Sequence, residues 1–128
     1  MFFFSLQPVV TFSSDQIYSA VRECAGSESK VAELMKIVTE GKVREDDEFK
    51  TFIHCTLLKS GLAYENGRVN VEKSVPLYPD PVSAFKVLKR CDEERGPTPL
   101  ETTFAFFKCF QERSPVTINK LIYFTVLL

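Results

Sequence analysis

Residues 47–62 read Asp-Glu-Phe-Lys-Thr-Phe-Ile-His-Cys-Thr-Leu-Leu-Lys-Ser-Gly-Leu, and residues 65–70 follow as Glu-Asn-Gly-Arg-Val-Asn. Phe49, Phe52, Ile53, Thr56 and Leu57 recur at the spacing of one helix face. Asp46 stands where a side chain caps the first free amides, and Asp47 and Glu48 suit the positive end of the helix dipole. Gly61 ends the run, and Glu65-Asn66-Gly67 is a turn. The stretch therefore predicts one amphipathic helix that carries His54, the single histidine, beside Cys55.

The same grammar extends in both directions. Toward the N-terminus, Val31, Leu34, Met35 and Val38 give a second helix stopped by Gly41. Before it, Ser13 and Gln16 have capping-box spacing ahead of Ile17, Ala20, Val21 and Cys24, a helix ended by Gly26. Residues 1–12 are apolar but lack a basic leader and are broken by Gln7 and Pro8, so they are set aside from the fold. Toward the C-terminus, the segment 69–78 is too short and too proline-interrupted for more than a short helix. Asp80-Pro81 starts another, with Ala84, Val87, Leu88 and Cys91 inward. Thr98-Pro99-Leu100-Glu101 is a capping box with proline at the first helical position, and it predicts Thr103, Phe106, Phe107 and Phe110 on one face. Ser114-Pro115 ends that helix and leaves an apolar tail, 114–128. The expectation is an all-α chain of about six helices, with 1–128 as a single domain.

Composition narrows the function. The chain has 128 residues, 45% apolar, with 16 basic against 17 acidic side chains. That is too apolar for disorder and too evenly charged for nucleic acid to be its partner. No apolar run approaches the length that spans a membrane. The glycines are isolated, so there is no phosphate-cradling loop, and any nucleophile-histidine pair would have to pass through His54. The acidic groups Asp46-Asp47-Glu48 and Asp92-Glu93-Glu94 sit at helix ends and read as solvated caps. Neither an enzyme nor a bound metal or cofactor is indicated. Cys24, Cys55, Cys91 and Cys109 contain no C-x-x-C pair. They leave two readings open: two long-range disulfides in a secreted protein, or four reduced thiols in an intracellular helical protein whose apolar tail docks on a partner.

The stretch 47–62 with 65–70, together with the cysteine spacing, resembles the third-helix signature of insect odorant-binding proteins, the pheromone/general odorant-binding family. The resemblance covers about residues 13–113. Family members usually have six cysteines. Here the second position, four residues before Cys55, is Thr51, and the fifth, nine before Cys109, is Leu100. Both members of one bridge are missing together, as in the four-cysteine "minus-C" subgroup. The resemblance implies the pairs Cys24–Cys55 and Cys91–Cys109, and a softer seam where the absent bridge would tie the third helix to the sixth.

It also implies a secreted, extracellular carrier that holds a small hydrophobic ligand, an odorant or pheromone, in a cavity among the helices. Such a carrier is a monomer or weak dimer and has a membrane chemoreceptor as a partner. A non-olfactory carrier, or one that binds a host mediator, is the alternative. The candidate lining is Leu34, Met35, Val38, Phe52, Leu57, Leu77, Phe85, Leu88, Phe106, Phe107, Phe110 and Phe124, with Tyr64, Tyr78, Tyr123 and Thr51 as polar selectors. His54 is a candidate pH-sensitive group. Leu121, Ile122, Phe124, Val126, Leu127 and Leu128 form an apolar group expected to fold back over the cavity.

Overall fold

In the computed structural model, the described residues are 7–78 and 80–113. They form six helices: α1 (Gln7–Ala25), α2 (Glu28–Thr39), α3 (Asp47–Lys59), the short α4 (Val71–Ser74) extended by a 3-10 turn over Val75–Leu77, α5 (Pro81–Cys91) and α6 (Pro99–Arg113). The only sheet-like pairing among them is an isolated antiparallel bridge between Ala63 and Val69. Residues 114–128, with Tyr123, Phe124 and the expected folding back of the tail, lie outside the described residues.

Most helix starts follow the sequence signals. The Asp46 carboxylate accepts from the Phe49 amide at 2.8 Å, Asn70 from Lys73 at 3.0 Å, Asp80 from Ser83 at 3.2 Å, and the Thr98 hydroxyl from Glu101 at 3.1 Å. Ser27 caps α2 in the same way. At the first helix the expectation fails: α1 begins at Gln7, so positions 13 and 16 lie inside the helix rather than at its start. Pro8 does not block this start, because the first turn of a helix has no use for its missing amide proton. The segment 1–12 was therefore set aside too broadly.

The helices pack into two apolar clusters rather than one. Ile17, Val21, Val31, Leu34, Met35, Val38, Phe49, Phe52, Ile53, Leu62 and Phe104 form the first, from α1, α2, α3 and one side of α6. Ala63, Val69, Val71, Tyr78, Ala84, Leu88, Cys91, Phe106, Cys109 and Phe110 form the second, from the 62–78 segment, α5 and the other side of α6. Leu57 and Leu77 touch both. The single face expected of α6 is thus a correction: Phe104 and Phe107 lean onto Phe49, at centroid distances of 6.5 and 5.9 Å, while Phe110 meets Tyr78 at 5.6 Å and lies parallel to Phe106. A helix buried on two sides has an apolar arc too wide for a one-stripe reading.

All four cysteines are bridged. Cys24–Cys55 joins α1 to α3 with Cα atoms 5.8 Å apart, and Cys91–Cys109 joins α5 to α6 at 5.6 Å. The bridges close spans of 31 and 18 residues, each contributing about 3–4 kcal/mol in the chain-entropy account. Each bridge lies on one side of the division between clusters. Beside the packing of Phe104 and Phe107 on Phe49, two polar contacts join α3 and α6: Lys50 Nζ to Glu101 at 3.4 Å, and His54 Nδ1 to Thr103 Oγ1 at 3.0 Å.

Thr51 and Leu100 are the chain neighbours of Lys50 and Glu101, which pair across the two helices. The double variant Thr51→Cys/Leu100→Cys should therefore form a third bridge and raise stability by about 2–4 kcal/mol. Thiol titration with denaturant unfolding checks this. Two new thiols that stay free under oxidising conditions contradict the pairing.

Candidate functional site

Between the two clusters lies a cavity of about 90 Å³. The first cluster contributes Ile17, Val21, Met35, Val38, Phe52, Ile53 and Leu62, and the second contributes Val69, Tyr78, Leu88, Phe106 and Phe110. Leu57, Leu77 and Phe107 close the join, and three hydroxyl residues, Thr56, Ser60 and Ser74, complete the wall. The cavity therefore sits where two separately packed cores meet and neither fills the gap. Among the described residues no charged side chain lines it.

The proposed lining divides cleanly. Met35, Val38, Phe52, Leu57, Leu77, Leu88, Phe106, Phe107 and Phe110 are brought together around the cavity, as is Tyr78. Leu34 is fully buried in the first cluster but does not reach the cavity, because its helix neighbour Met35, turned by about 100°, takes the inner position. Phe85 is 43% exposed on α5. It lines an open polar groove of about 390 Å³ with Tyr64, Arg68, Lys89 and Asp92. Tyr64 is 53% exposed in that groove, and Thr51 faces solvent, so neither is a cavity selector.

Several lining residues lie outside the expected set. Ile17, Val21 and Ile53 belong to apolar helix faces, a pattern that cannot distinguish core from cavity. Leu62 and Val69 flank the 65–67 turn, which folds them inward beside the Ala63–Val69 bridge. Gly67 permits this turn with φ of +92°, and any side chain there would run into the backbone of Pro99. Thr56 carried a visible signal, a hydroxyl inside an apolar stripe.

His54 lies beside this wall but not in it. Thr103 Oγ1 donates its one proton to the Gly67 carbonyl at 2.7 Å, so His54 Nδ1 must donate to the same oxygen. The chain His54–Thr103–Gly67 joins α3, α6 and the turn. Gln111, buried on α6, donates both amide protons to the carbonyls of Val38 and Lys42, at 3.0 and 2.9 Å, and so fastens the end of α2. At the mouth of α3, Arg44 binds Glu33, Asp46 and Glu48, and its guanidinium with the Phe49 amide holds the Asp46 carboxyl down to about 2.

The match to the PBP/GOBP family model covers residues 9–113, and the chain belongs to that family of binding proteins. Its two bridges and vacant second and fifth positions fit the four-cysteine layout. A comparison with curated proteins finds no match. Among the described residues no helix is long and apolar enough to cross a membrane, and no group of three metal-ligating side chains occurs.

Burial lowers the pKa of His54, so the folded state resists its protonation. The linked stability is present above the ordinary histidine range and is lost as pH falls below about 6.5. Glu45, Asp46, Glu48 and Asp80 are shifted down by ion pairs and caps, and their contribution is lost only below the ordinary carboxylate range. Unfolding midpoints measured from pH 7 to 5 should fall, and His54→Gln should flatten that interval while leaving the acid limb below pH 4 in place. An unchanged slope between pH 7 and 5 in the variant contradicts the assignment.

Proposed function

We propose that this protein is an extracellular carrier of small hydrophobic molecules, odorants, pheromones or similar compounds, which it holds in the cavity between its two cores. The observation that carries the reading is the apolar, uncharged wall assembled from both clusters and left unfilled. Family membership and the two disulfides support it. Disulfides persist in an oxidising, secreted setting, and they speak against the reduced intracellular alternative. Delivery to a membrane chemoreceptor, as a monomer or weak dimer, is the role such a carrier would have.

Size shapes the mechanism. Pockets for drug-sized ligands measure roughly 300–1,000 Å³, well above the cavity here. A long-chain ligand therefore enters only if the seam widens. Neither disulfide resists that movement, because neither crosses the seam. Each buried methylene contributes roughly 0.8 kcal/mol, and ordering and lost translation take back several kcal/mol of the total. Ten such groups lead to dissociation constants in the micromolar range or weaker.

Displacement of N-phenyl-1-naphthylamine by medium-chain apolar ligands tests the reading. Leu57→Phe puts a ring into the join and should weaken probe binding at least about tenfold, whereas Phe85→Ala should leave it within about twofold. Equal binding by wild type and Leu57→Phe, or loss of binding in Phe85→Ala, would place the ligand elsewhere.

A further inference from the structure

The cavity wall carries four hydroxyl groups, on Thr56, Ser60, Ser74 and Tyr78. Ser60 donates to the Leu57 carbonyl at 3.2 Å, and Ser74 to the Asn70 carbonyl at 2.8 Å. Thr56 is the one of the four whose buried oxygen has no hydrogen-bond partner among the described residues, and the residue is 9% exposed. Two other buried oxygens, Gln16 Oε1 and Gln111 Oε1, also lack partners, but neither residue lines the cavity. A buried hydroxyl without a partner loses its hydration and gains nothing in exchange, so such groups are rare in folded proteins. Thr56 occupies a position in the apolar stripe of α3 that a valine would fill at the same volume.

We propose that Thr56 is the polar anchor of the cavity and that it selects small uncharged ligands bearing one hydrogen-bonding oxygen, an alcohol, aldehyde or ketone, over hydrocarbons and carboxylates. The proposal rests on the carrier reading above and specifies the ligand class for the same cavity. Its chemistry follows from the wall. The Thr56 hydroxyl is free both to donate and to accept, so it can satisfy a carbonyl or a hydroxyl. Ser60, one turn further along α3, retains lone pairs and can accept from a ligand hydroxyl. A carboxylate would enter the same space without a cation to meet it, because no Lys, Arg or His among the described residues lines the wall. A pure hydrocarbon fills the space but leaves Thr56 unpaired.

Two measurements test this. Isothermal titration calorimetry compares toluene, benzyl alcohol and benzoate on wild type, Thr56→Val and Thr56→Ser. Benzyl alcohol should bind wild type about tenfold more tightly than toluene, and benzoate should not bind measurably. Thr56→Val should remove the tenfold advantage without weakening toluene, and Thr56→Ser should keep it. The second measurement needs no ligand: Thr56→Val should raise the thermal midpoint of the ligand-free protein, because it replaces an unpaired buried hydroxyl with a methyl group. Equal binding of toluene and benzyl alcohol, or unchanged alcohol binding in Thr56→Val, overturns the anchor and leaves the carrier reading standing. A lower thermal midpoint in Thr56→Val also overturns it, by showing that the hydroxyl already has a partner. Failure of all three probes to bind wild type counts against the carrier reading itself, and the anchor falls with it.

Discussion

Phe104 and Phe107 reach from α6 onto Phe49, while Phe106 and Phe110 turn the other way, toward Tyr78. One helix thus supplies aromatic rings to two cores at once, and the rest of the molecule is arranged around that demand. Rings that diverge from one helix toward two cores leave the space between them open. Leu57 and Leu77 touch both clusters but do not fill it. The cavity follows from this division of α6 and requires no local defect in packing.

The covalent and polar ties repeat the division. Each disulfide stabilises its own side, α1 to α3 or α5 to α6. No disulfide crosses between α3 and α6; besides the Phe49 contacts, they are joined by one ion pair between Lys50 and Glu101 and by the hydrogen-bonded chain from His54 through Thr103 to Gly67. A partly exposed ion pair is worth little, about 1 kcal/mol or less. Local stability in proteins is uneven, and elements that must move for a ligand come from its lower end. Here the boundary that no disulfide crosses and the cavity coincide, which makes it the place where the proposed carrier would widen for a ligand.

The sequence made the helices legible because their ends are chemically marked. Asp46, Asp80 and Thr98 each cap the helix they precede, and Gly26, Gly41 and Gly61 take positive φ just past the ends of α1, α2 and α3. The start of α1 was misread because a capping-box spacing also occurs by chance inside a helix, where its side chains have no free amides to bind. The cavity was only partly legible. Periodicity separates inside from outside, which placed Met35, Phe52 and Leu88 well, but it cannot say whether an inward residue meets another side chain or a void. Leu34 shows that limit. Phe85 shows another: it falls outside the stripe of Ala84, Val87, Leu88 and Cys91, and α5 turns it toward Lys89 and the polar groove. The split of α6 depends on where α5 and the 62–78 segment come to rest, and no local pattern in residues 99–113 encodes it.

Amide hydrogen exchange, read by mass spectrometry with and without saturating N-phenyl-1-naphthylamine, tests most directly the claim that a ligand sits in the seam between two stable cores. The ligand should slow exchange in residues 56–62, 69–78 and 106–110, which border the cavity from both clusters, and leave residues 28–33 at the start of α2 unchanged. Protection spread evenly over the chain, or confined to the groove lined by Tyr64, Arg68 and Phe85, would contradict it.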